Sequence, residues 1–212
     1  MRDYFSGAKT VLFQGDSITD CGRDRNDIDS LGSGYPSKIA SVYKILFPDS
    51  PARFINKGVS GDRVHNLIER YVEDIYDMEP DFISVLIGIN DVWRIFDSGD
   101  DSTLEAFRDH YEYLMKMTRS HFPEAGIMIM EPFVLHSLPD RAGWHGELDP
   151  RIQIAREVAN NYADFYLPLD GIFASLCTGG NQPSVFAADG VHPTDKGHAV
   201  IAESYMKALG MI

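Results

Sequence analysis

The sequence has few basic residues and few cysteines, and it lacks any long hydrophobic run. Its 19 Lys and Arg residues are outnumbered by 32 Asp and Glu residues, so the formal net charge is −13. This charge repels nucleic-acid phosphates and anionic membranes, which both require clustered Lys and Arg. We therefore expect neither a nucleic-acid partner nor a membrane partner, and a neutral small molecule is favoured as the ligand.

Other absences bear on where the protein resides. No stretch approaches the ~18 consecutive apolar residues that a membrane-spanning helix needs. The opening segment "MRDYFSGAKTVLFQGD" also lacks the ~7–15-residue apolar core of a secretory signal. The two cysteines, Cys21 and Cys177, show no metal-ligand spacing, which favours free thiols in a reducing compartment. Together these absences predict a cytoplasmic protein.

Five short apolar segments predict β-strands. Their hydrophobicity is continuous rather than alternating, as is typical of strands buried on both faces of a parallel sheet. Segments with helical periodicity lie between and after them, which predicts a three-layer α/β/α sandwich around a parallel sheet of about five strands. The length fits a single domain over residues 1–212. The predicted strands are 10–14, 52–57, 81–88, 126–131 and 164–169, and the predicted helices are 36–47, 64–78, 103–122, 148–162 and 195–209.

Ligands of such sheets bind at the carboxyl ends of the strands, so the loops there are the first places to search. Ser17 lies in "GDSIT", just after the first predicted strand. At the N-terminus of a following helix its hydroxyl faces the cleft as a candidate nucleophile. Ser and Asp are also common helix caps, so this segment alone leaves both interpretations open.

One long irregular stretch, 132–149, predicts a functional loop over the site.

A second candidate segment is "AADGVHPTDKGH", near the C-terminus. A nucleophilic serine needs a base, and the base needs a carboxylate to orient it. Asp189 and His192, three residues apart on one loop, supply both groups, whereas a turn Asp beside an exposed His is the alternative. His198 competes for the role of base, but it falls inside the predicted last helix.

Two further segments offer hydrogen-bond donors. In "NKGVSGDRV", Gly61 lets a backbone N–H approach a reacting carbonyl, as an oxyanion hole requires. Ser60 is a rival nucleophile there, although the chain contains no G-x-S-x-G elbow. In "LIGINDVWR", the side-chain amide of Asn90 is a candidate donor, and a turn residue is the alternative interpretation.

These four segments resemble the blocks of the SGNH (GDSL-type) hydrolase superfamily. The blocks occur in family order as "GDSIT", "SGD", "GIND" and "DGVHP" and span most of the chain. The resemblance implies a flavodoxin-like fold, with Ser17 as nucleophile, His192 as base and Asp189 as its orienter. It also implies that the N–H of Ser17, the N–H of Gly61 and Nδ2 of Asn90 form the oxyanion hole, and that neither a metal nor an organic cofactor is needed.

The extended motifs "FQGDSITDCGR", "NKGVSGD" and "IGINDVWR" are similar to those of a bacterial subgroup that contains intracellular acetylesterases acting on xylan fragments. This likeness favours short acyl esters of sugars as substrates and makes a homo-oligomer one expected assembly. The residues expected to contact a sugar are Tyr35, Trp93, Arg94 and Trp144.

Three alternatives stay open at this stage. One is an enzyme of the same chemistry on another substrate, such as a thioesterase or lysophospholipase. Another is a noncatalytic carbohydrate-binding protein. The third is a metal-dependent hydrolase in which Asp16, Asp189 and His192 are ligands, although Asp16 is better interpreted as bracing the loops around Ser17.

Overall fold

The computed structural model describes residues 3–100 and 102–212, and in it five parallel strands form one central sheet. The strands are β1 (Thr10–Gly15), β2 (Arg53–Asn56), β3 (Phe82–Leu86), β4 (Gly126–Met130) and β5 (Phe165–Leu167). Their spatial order is β2, β1, β3, β4, β5, which is the flavodoxin-like order. Each strand lies within two residues of a predicted one.

Both faces of the sheet are buried, because alternate residues of a strand point to opposite faces. Along β1, Val11 and Phe13 belong to one hydrophobic core and Leu12 belongs to the other. Every residue of β3 is buried. This explains the continuous hydrophobicity of the strand segments, since no face is left for polar residues.

Helices cover both faces and complete the predicted α/β/α sandwich, which is confirmed. The core that contains Val11 and Phe13 includes helix residues from 35–46, 169–178 and 195–208. The core that contains Leu12 includes helix residues from 64–69 and 104–121. The helices are α1 (Ser17–Asp20), α2 (Tyr35–Leu46), α3 (Val64–Glu69), α4 (Tyr71–Asp74), α5 (Ile89–Ser98), α6 (Leu104–His121), α7 (His145–Tyr162), α8 (Leu169–Thr178) and α9 (Asp195–Ala208).

The helices differ from the prediction in three places. The predicted helix 64–78 is divided at Arg70, where the backbone leaves helical geometry with φ −99° and ψ 12°. The guanidinium of Arg70 pairs there with Asp62 and Asp74. Two short helices, α5 and α8, follow strands directly, so their apolar starts merge with the strand pattern and the sequence predicts no helix there. The third difference is that α7 begins at residue 145, inside the predicted loop.

The sheet order brings three loops together. Because β1 pairs with β2 on one side and β3 on the other, the carboxyl ends of these strands lie side by side.

Cys21 and Cys177 are both free thiols, as predicted. Within the described ranges, no helix is both long and apolar enough to cross a membrane.

Candidate active site

Ser17 is the first residue of α1, and Asp16 alone separates it from the end of β1. Its Oγ lies 3.0 Å from Nε2 of His192, although 175 positions separate the two residues in the chain. On the other side of the imidazole, Nδ1 of His192 lies 2.6 Å from Oδ2 of Asp189. The structure therefore brings a hydroxyl, an imidazole and a carboxylate into one hydrogen-bonded line.

The charges of Asp189 and His192 are coupled. Burial raises the pKa of Asp189, but hydrogen bonds from the His192 ring and from the N–H groups of Val191 and His192 outweigh it and hold this pKa well below its usual range. The bond to Asp189 raises the pKa of His192, while burial opposes the rise. With Nδ1–H donated to Asp189, a neutral His192 presents the lone pair of Nε2 to the Ser17 hydroxyl. This is the arrangement that a general base requires.

The donors expected to form an oxyanion hole come from the loops after β1, β2 and β3. The N–H of Val59 donates to the carbonyl of Gly15 over 3.0 Å and ties the second loop to the end of β1. Nδ2 of Asn90 donates to the carbonyl of Asp62 over 3.0 Å and ties the same loop to α5. One Nδ2 hydrogen of Asn90 is thereby used and the other remains for a ligand.

Gly61 has φ +90°, in the left-handed region that glycine adopts without steric cost. Among the described residues, no acceptor binds the backbone N–H of Ser17 or of Gly61. Two unused N–H groups and one spare amide hydrogen are suited to bind negative charge that develops on a carbonyl oxygen.

The two rivals from the sequence have other partners. Oγ of Ser60 donates to Oδ2 of Asp20 over 3.0 Å. His198 lies in α9, as predicted, where its Nδ1 accepts from the N–H of Tyr35 over 3.1 Å. Burial lowers the pKa of His198 to about 4. Ser60 is therefore not placed as the nucleophile, and His198 is not placed as the base for Ser17.

Asp16 is completely buried and faces inward, as interpreted from the sequence. Its Oδ1 accepts from the N–H of Ile18 over 2.9 Å and caps α1. Burial raises its pKa to about 7, although the bond from Ile18 and the positive field of His192 lower it. In the part of the chain that the structure describes, no group of three or more His, Cys, Asp or Glu side chains is arranged to hold a metal ion.

Four residues were predicted to contact a sugar, and the structure separates them. The ring of Trp93 is partly exposed and lies 5.6 Å from the His192 ring between centroids. Arg94 follows it on α5 and pairs with Asp97. Trp144 is buried: Phe96 stacks on it, and its ring lies 5.3 Å edge-on from Trp93. It supports Trp93 from behind.

The position of Tyr35 corrects the expectation that it contacts substrate. Its side chain has no exposed surface, and its hydroxyl is 2.9 Å from Oγ1 of Thr19. Its ring packs edge-on against Phe13 in the core. A ring without exposed surface offers nothing to a sugar, so Tyr35 is a core residue under α1.

The stretch 132–149 has a role that the sequence did not reveal. The N–H of Leu135 donates to the carbonyl of Gly190 over 2.8 Å, and Nε of Arg141 donates to the carbonyl of Asp189 over 2.8 Å. The guanidinium of Arg141 also lies 4.1 Å above the centre of the Trp144 ring. This segment therefore holds the chain that carries Asp189. Its bonds end on backbone carbonyls, which leave no residue pattern to find in a sequence.

Comparisons with known proteins agree with this geometry. The GDSL-like Lipase/Acylhydrolase family matches residues 13–200. An acetylxylan esterase of Geobacillus stearothermophilus is 32% identical, over 97% of this chain and 95% of its own. A crystal structure of a catalytic mutant of Axe2, an acetylxylan esterase from that organism, superposes with a TM-score of 0.89 at 29% identity, covering 98% and 96% of the two chains. LAE5, an alpha/beta hydrolase enzyme from the metagenome of Lake Arreo in Spain, gives 0.88 at 28% identity and covers 98% of each chain.

Proposed function

The chain belongs to the GDSL-like Lipase/Acylhydrolase family and is an ester hydrolase, and from this premise we propose that it removes acetyl groups from carbohydrates through an acyl-serine intermediate. Ser17 is the nucleophile, His192 the general base and Asp189 the carboxylate that orients it. The observation that carries the proposal is the 3.0 Å approach of Ser17 Oγ to Nε2 of a histidine already bonded to Asp189. In support, structures described as catalytic mutants of Axe2 replace a serine, an aspartate and, three residues later, a histidine.

The proposed reaction has two symmetrical halves. Nε2 of His192 takes the Ser17 proton while Oγ forms a bond to the ester carbonyl carbon, and the carbonyl electron pair moves to its oxygen. The N–H groups of Ser17 and Gly61 and Nδ2 of Asn90 bind this oxyanion. When the pair returns, the bond to the alcohol oxygen breaks and His192 gives that oxygen the proton. Water then repeats the sequence on the acyl-serine, releasing the carboxylic acid and restoring Ser17.

The surroundings of Ser17, His192 and Asp189 support the proposed substrate class. Trp93 presents a partly exposed ring beside His192, and an aromatic face of this kind packs against the apolar side of a sugar ring. The curated relative is an acetylxylan esterase, which agrees with a small acyl group on a carbohydrate alcohol.

Labelling with a serine-directed fluorophosphonate tests the nucleophile. We expect one equivalent of label on the peptide that contains Ser17 and at least ~10³-fold loss of kcat in Ser17→Ala, because the covalent route is removed. Ser41→Ala, at an exposed position on α2, is the matched control and keeps full activity. Label on Ser60, or an active Ser17→Ala enzyme, contradicts the proposal.

A substrate panel tests the acyl and alcohol groups separately. Acetylated xylo-oligosaccharides, aryl acetates, longer acyl esters and acyl-CoA are compared by kcat/KM. We expect the acetylated sugars to be the best substrates. Activity that increases with acyl chain length would instead indicate a lysophospholipase or thioesterase.

A further inference from the structure

Residues 57–62, here called the Gly61 loop, carry one expected oxyanion donor and pack closely on α1, which carries the nucleophile. A Cβ atom added at Gly58 would lie 2.4 Å from the backbone nitrogen of Asp20, so only glycine allows this approach. The loop and α1 therefore meet backbone to backbone, and whatever fixes one against the other sets the distance between Ser17 and the N–H of Gly61.

The two peptides around Ser60 lie in a turn that is closed by a bond from the N–H of Asp62 to the carbonyl of Val59 over 3.2 Å. Before them, Val59 bonds to the end of β1, and after them the carbonyl of Asp62 accepts from Asn90. Gly61 itself has φ +90° and its N–H has no acceptor in the described ranges. The orientation of the Gly61 N–H therefore depends on the bond between Asp62 and Val59 and on how Ser60 is held, because Ser60 supplies the other half of that peptide.

A single carboxylate oxygen holds Ser60. Oδ2 of Asp20 accepts from the backbone N–H of Ser60 over 3.1 Å and from its Oγ–H over 3.0 Å. The same oxygen accepts from Arg25 over 2.8 Å. Asp20 is only 5% exposed, so water has little access to this carboxylate.

Asp20 is suited to this task by its charge and its place in the chain. Burial raises its pKa, but the bonds from Arg25 and Ser60 outweigh burial and hold it below its usual range, so the carboxylate is ionised. Hydrogen bonds to an ionised acceptor are roughly twice as strong as neutral ones. Asp20 lies three residues after Ser17 on the one-turn helix α1, so the carboxylate and the nucleophile belong to one rigid unit.

We infer that Asp20 is a positioning residue for the oxyanion hole: it fixes the N–H of Gly61 relative to Ser17 by binding both donors of Ser60. The inference rests on the proposed function. It also gives Ser60, the rival nucleophile in the sequence, a different role as the contact point between α1 and the Gly61 loop.

The test separates binding of the substrate from stabilisation of the oxyanion. In Asp20→Asn the neutral amide oxygen binds Ser60 and Arg25 more weakly than the carboxylate does, so the Gly61 N–H is held less firmly in its orientation. We expect kcat to fall ~10- to 100-fold, somewhat less than the loss of a whole donor, with KM changed less than ~3-fold. Inhibition by phenylboronic acid, whose serine adduct is a tetrahedral anion, should weaken by the same factor as kcat/KM.

Two controls accompany this variant. Asp29→Asn removes an exposed carboxylate that pairs with Arg53. It should leave kcat, KM and the affinity for phenylboronic acid unchanged. Ser60→Ala keeps the backbone N–H bond to Asp20 and loses only the Oγ bond, so kcat and boronate affinity should each fall ~2- to 5-fold. Fluorophosphonate titration gives the fraction of competent enzyme in every preparation, to which kcat is normalised.

The outcomes are distinct. Unchanged kcat and boronate affinity in Asp20→Asn overturn the inference, as does a loss of kcat that is matched by a loss of titratable enzyme. If Asp20→Asn does not fold, unchanged boronate affinity in Ser60→Ala overturns it. An inactive Ser17→Ala beside a fully active Asp20→Asn rejects only the role of Asp20, whereas an active Ser17→Ala rejects the proposed function as well.

Discussion

The two sides of the candidate site differ in how they are held. The side that carries Ser17 and the expected oxyanion donors, here called the buried side, rests on buried polar residues, since Asp16 and Asn90 are 0% and 4% exposed. The opposite side is open to water, since the side chains of Asp189 and His192 are 37% and 47% exposed. Both sides contain carboxylates that bind backbone N–H groups, so burial and not chemistry distinguishes them.

This difference indicates how each side keeps its geometry. On the buried side, long-range bonds join three loops, because a buried polar group without a partner is costly. On the exposed side, the geometry is local: Oδ1 of Asp189 accepts from the N–H groups of Val191 and His192, two and three residues away. Arg141 and the N–H of Leu135 tie that turn to residues 132–149, and Arg141 is the side-chain brace that binds the carbonyl of Asp189 itself.

The exposed side is expected to give the largest effect, in Asp189→Asn. Asp189 raises the pKa of His192 above its usual range near 6.5. Since the base must be neutral, kcat/KM rises with pH through this raised pKa. The Asn variant should lower the plateau of kcat/KM ~10²- to 10³-fold. This loss is smaller than in a buried triad, because water partly replaces the carboxylate. The midpoint of the pH profile should move to lower pH.

The measurement is kcat/KM between pH 5 and pH 9. Asp195→Asn is the matched control, because Asp195 is an exposed carboxylate at the start of α9 that pairs with Lys38. It should leave both the plateau and the midpoint unchanged. A midpoint in Asp189→Asn that stays in place or moves upward would show that Asp189 does not govern the charge of His192.

The same contrast explains what could be predicted from the sequence. Asp189 and His192 are found by their spacing, because their interaction is local. The five strands are found by continuous hydrophobicity, because both faces of the sheet are buried. Asp20 and Arg141 are not found, because the one binds a loop 40 positions away and the other binds a backbone carbonyl 48 positions away. Such bonds depend on tertiary packing and leave no periodic or motif signal.

The helices show a similar limit. Asn90 fits a turn after a strand in the sequence, yet it lies in the first turn of α5. The ten residues of α5 are too few to establish a periodicity beside the apolar run that precedes them. The predicted helix 64–78 is interrupted at Arg70, where the guanidinium pairs with Asp62 outside the helix as well as with Asp74, and only the folded chain shows that Arg70 and Asp62 meet.

Removing the brace of the exposed side should have an intermediate effect. Arg141→Ala loses the bond to the Asp189 carbonyl and the contact with the Trp144 ring. We expect kcat to fall ~3- to 10-fold, because the Asp189 turn keeps its local bonds and the bond from Leu135 to Gly190 and loses only the side chain that anchors it. Arg141→Lys keeps the charge but not the fixed Nε donor, so its loss should be similar.

The control for this variant is Arg108→Ala, which removes an exposed arginine that pairs with Glu157 on the other face. It should keep wild-type kcat. Arg141→Ala with wild-type kcat would mean that the local bonds of Asp189 and the bond from Leu135 to Gly190 suffice, and the exposed side would then need no support from Arg141.

The smallest effect on catalysis is expected on the buried side, in Asp16→Asn. Burial raises the pKa of Asp16 to about 7, against the lowering by Ile18 and His192, and Asp62 and Asp91 raise it further. Asp16 is then largely neutral at pH 6, and an amide oxygen can still accept from the N–H of Ile18. We expect kcat at pH 6 to stay within ~3-fold of the wild type.

Stability gives the sharper measurement of Asp16. The unfolded chain releases this proton near pH 4, whereas the folded protein keeps it to about pH 7, so the folded state binds more protons in that interval. The contribution of Asp16 to stability is therefore fully present below pH 4, declines as the pH rises, and is lost above about pH 7. Asp16→Asn lacks this decline, so its Tm relative to the wild type should increase from pH 4 to pH 8. A Tm difference that is independent of pH, or a large loss of kcat at pH 6, would mean that Asp16 is ionised in the folded protein. The buried side would then contain a second functional carboxylate beside Asp20.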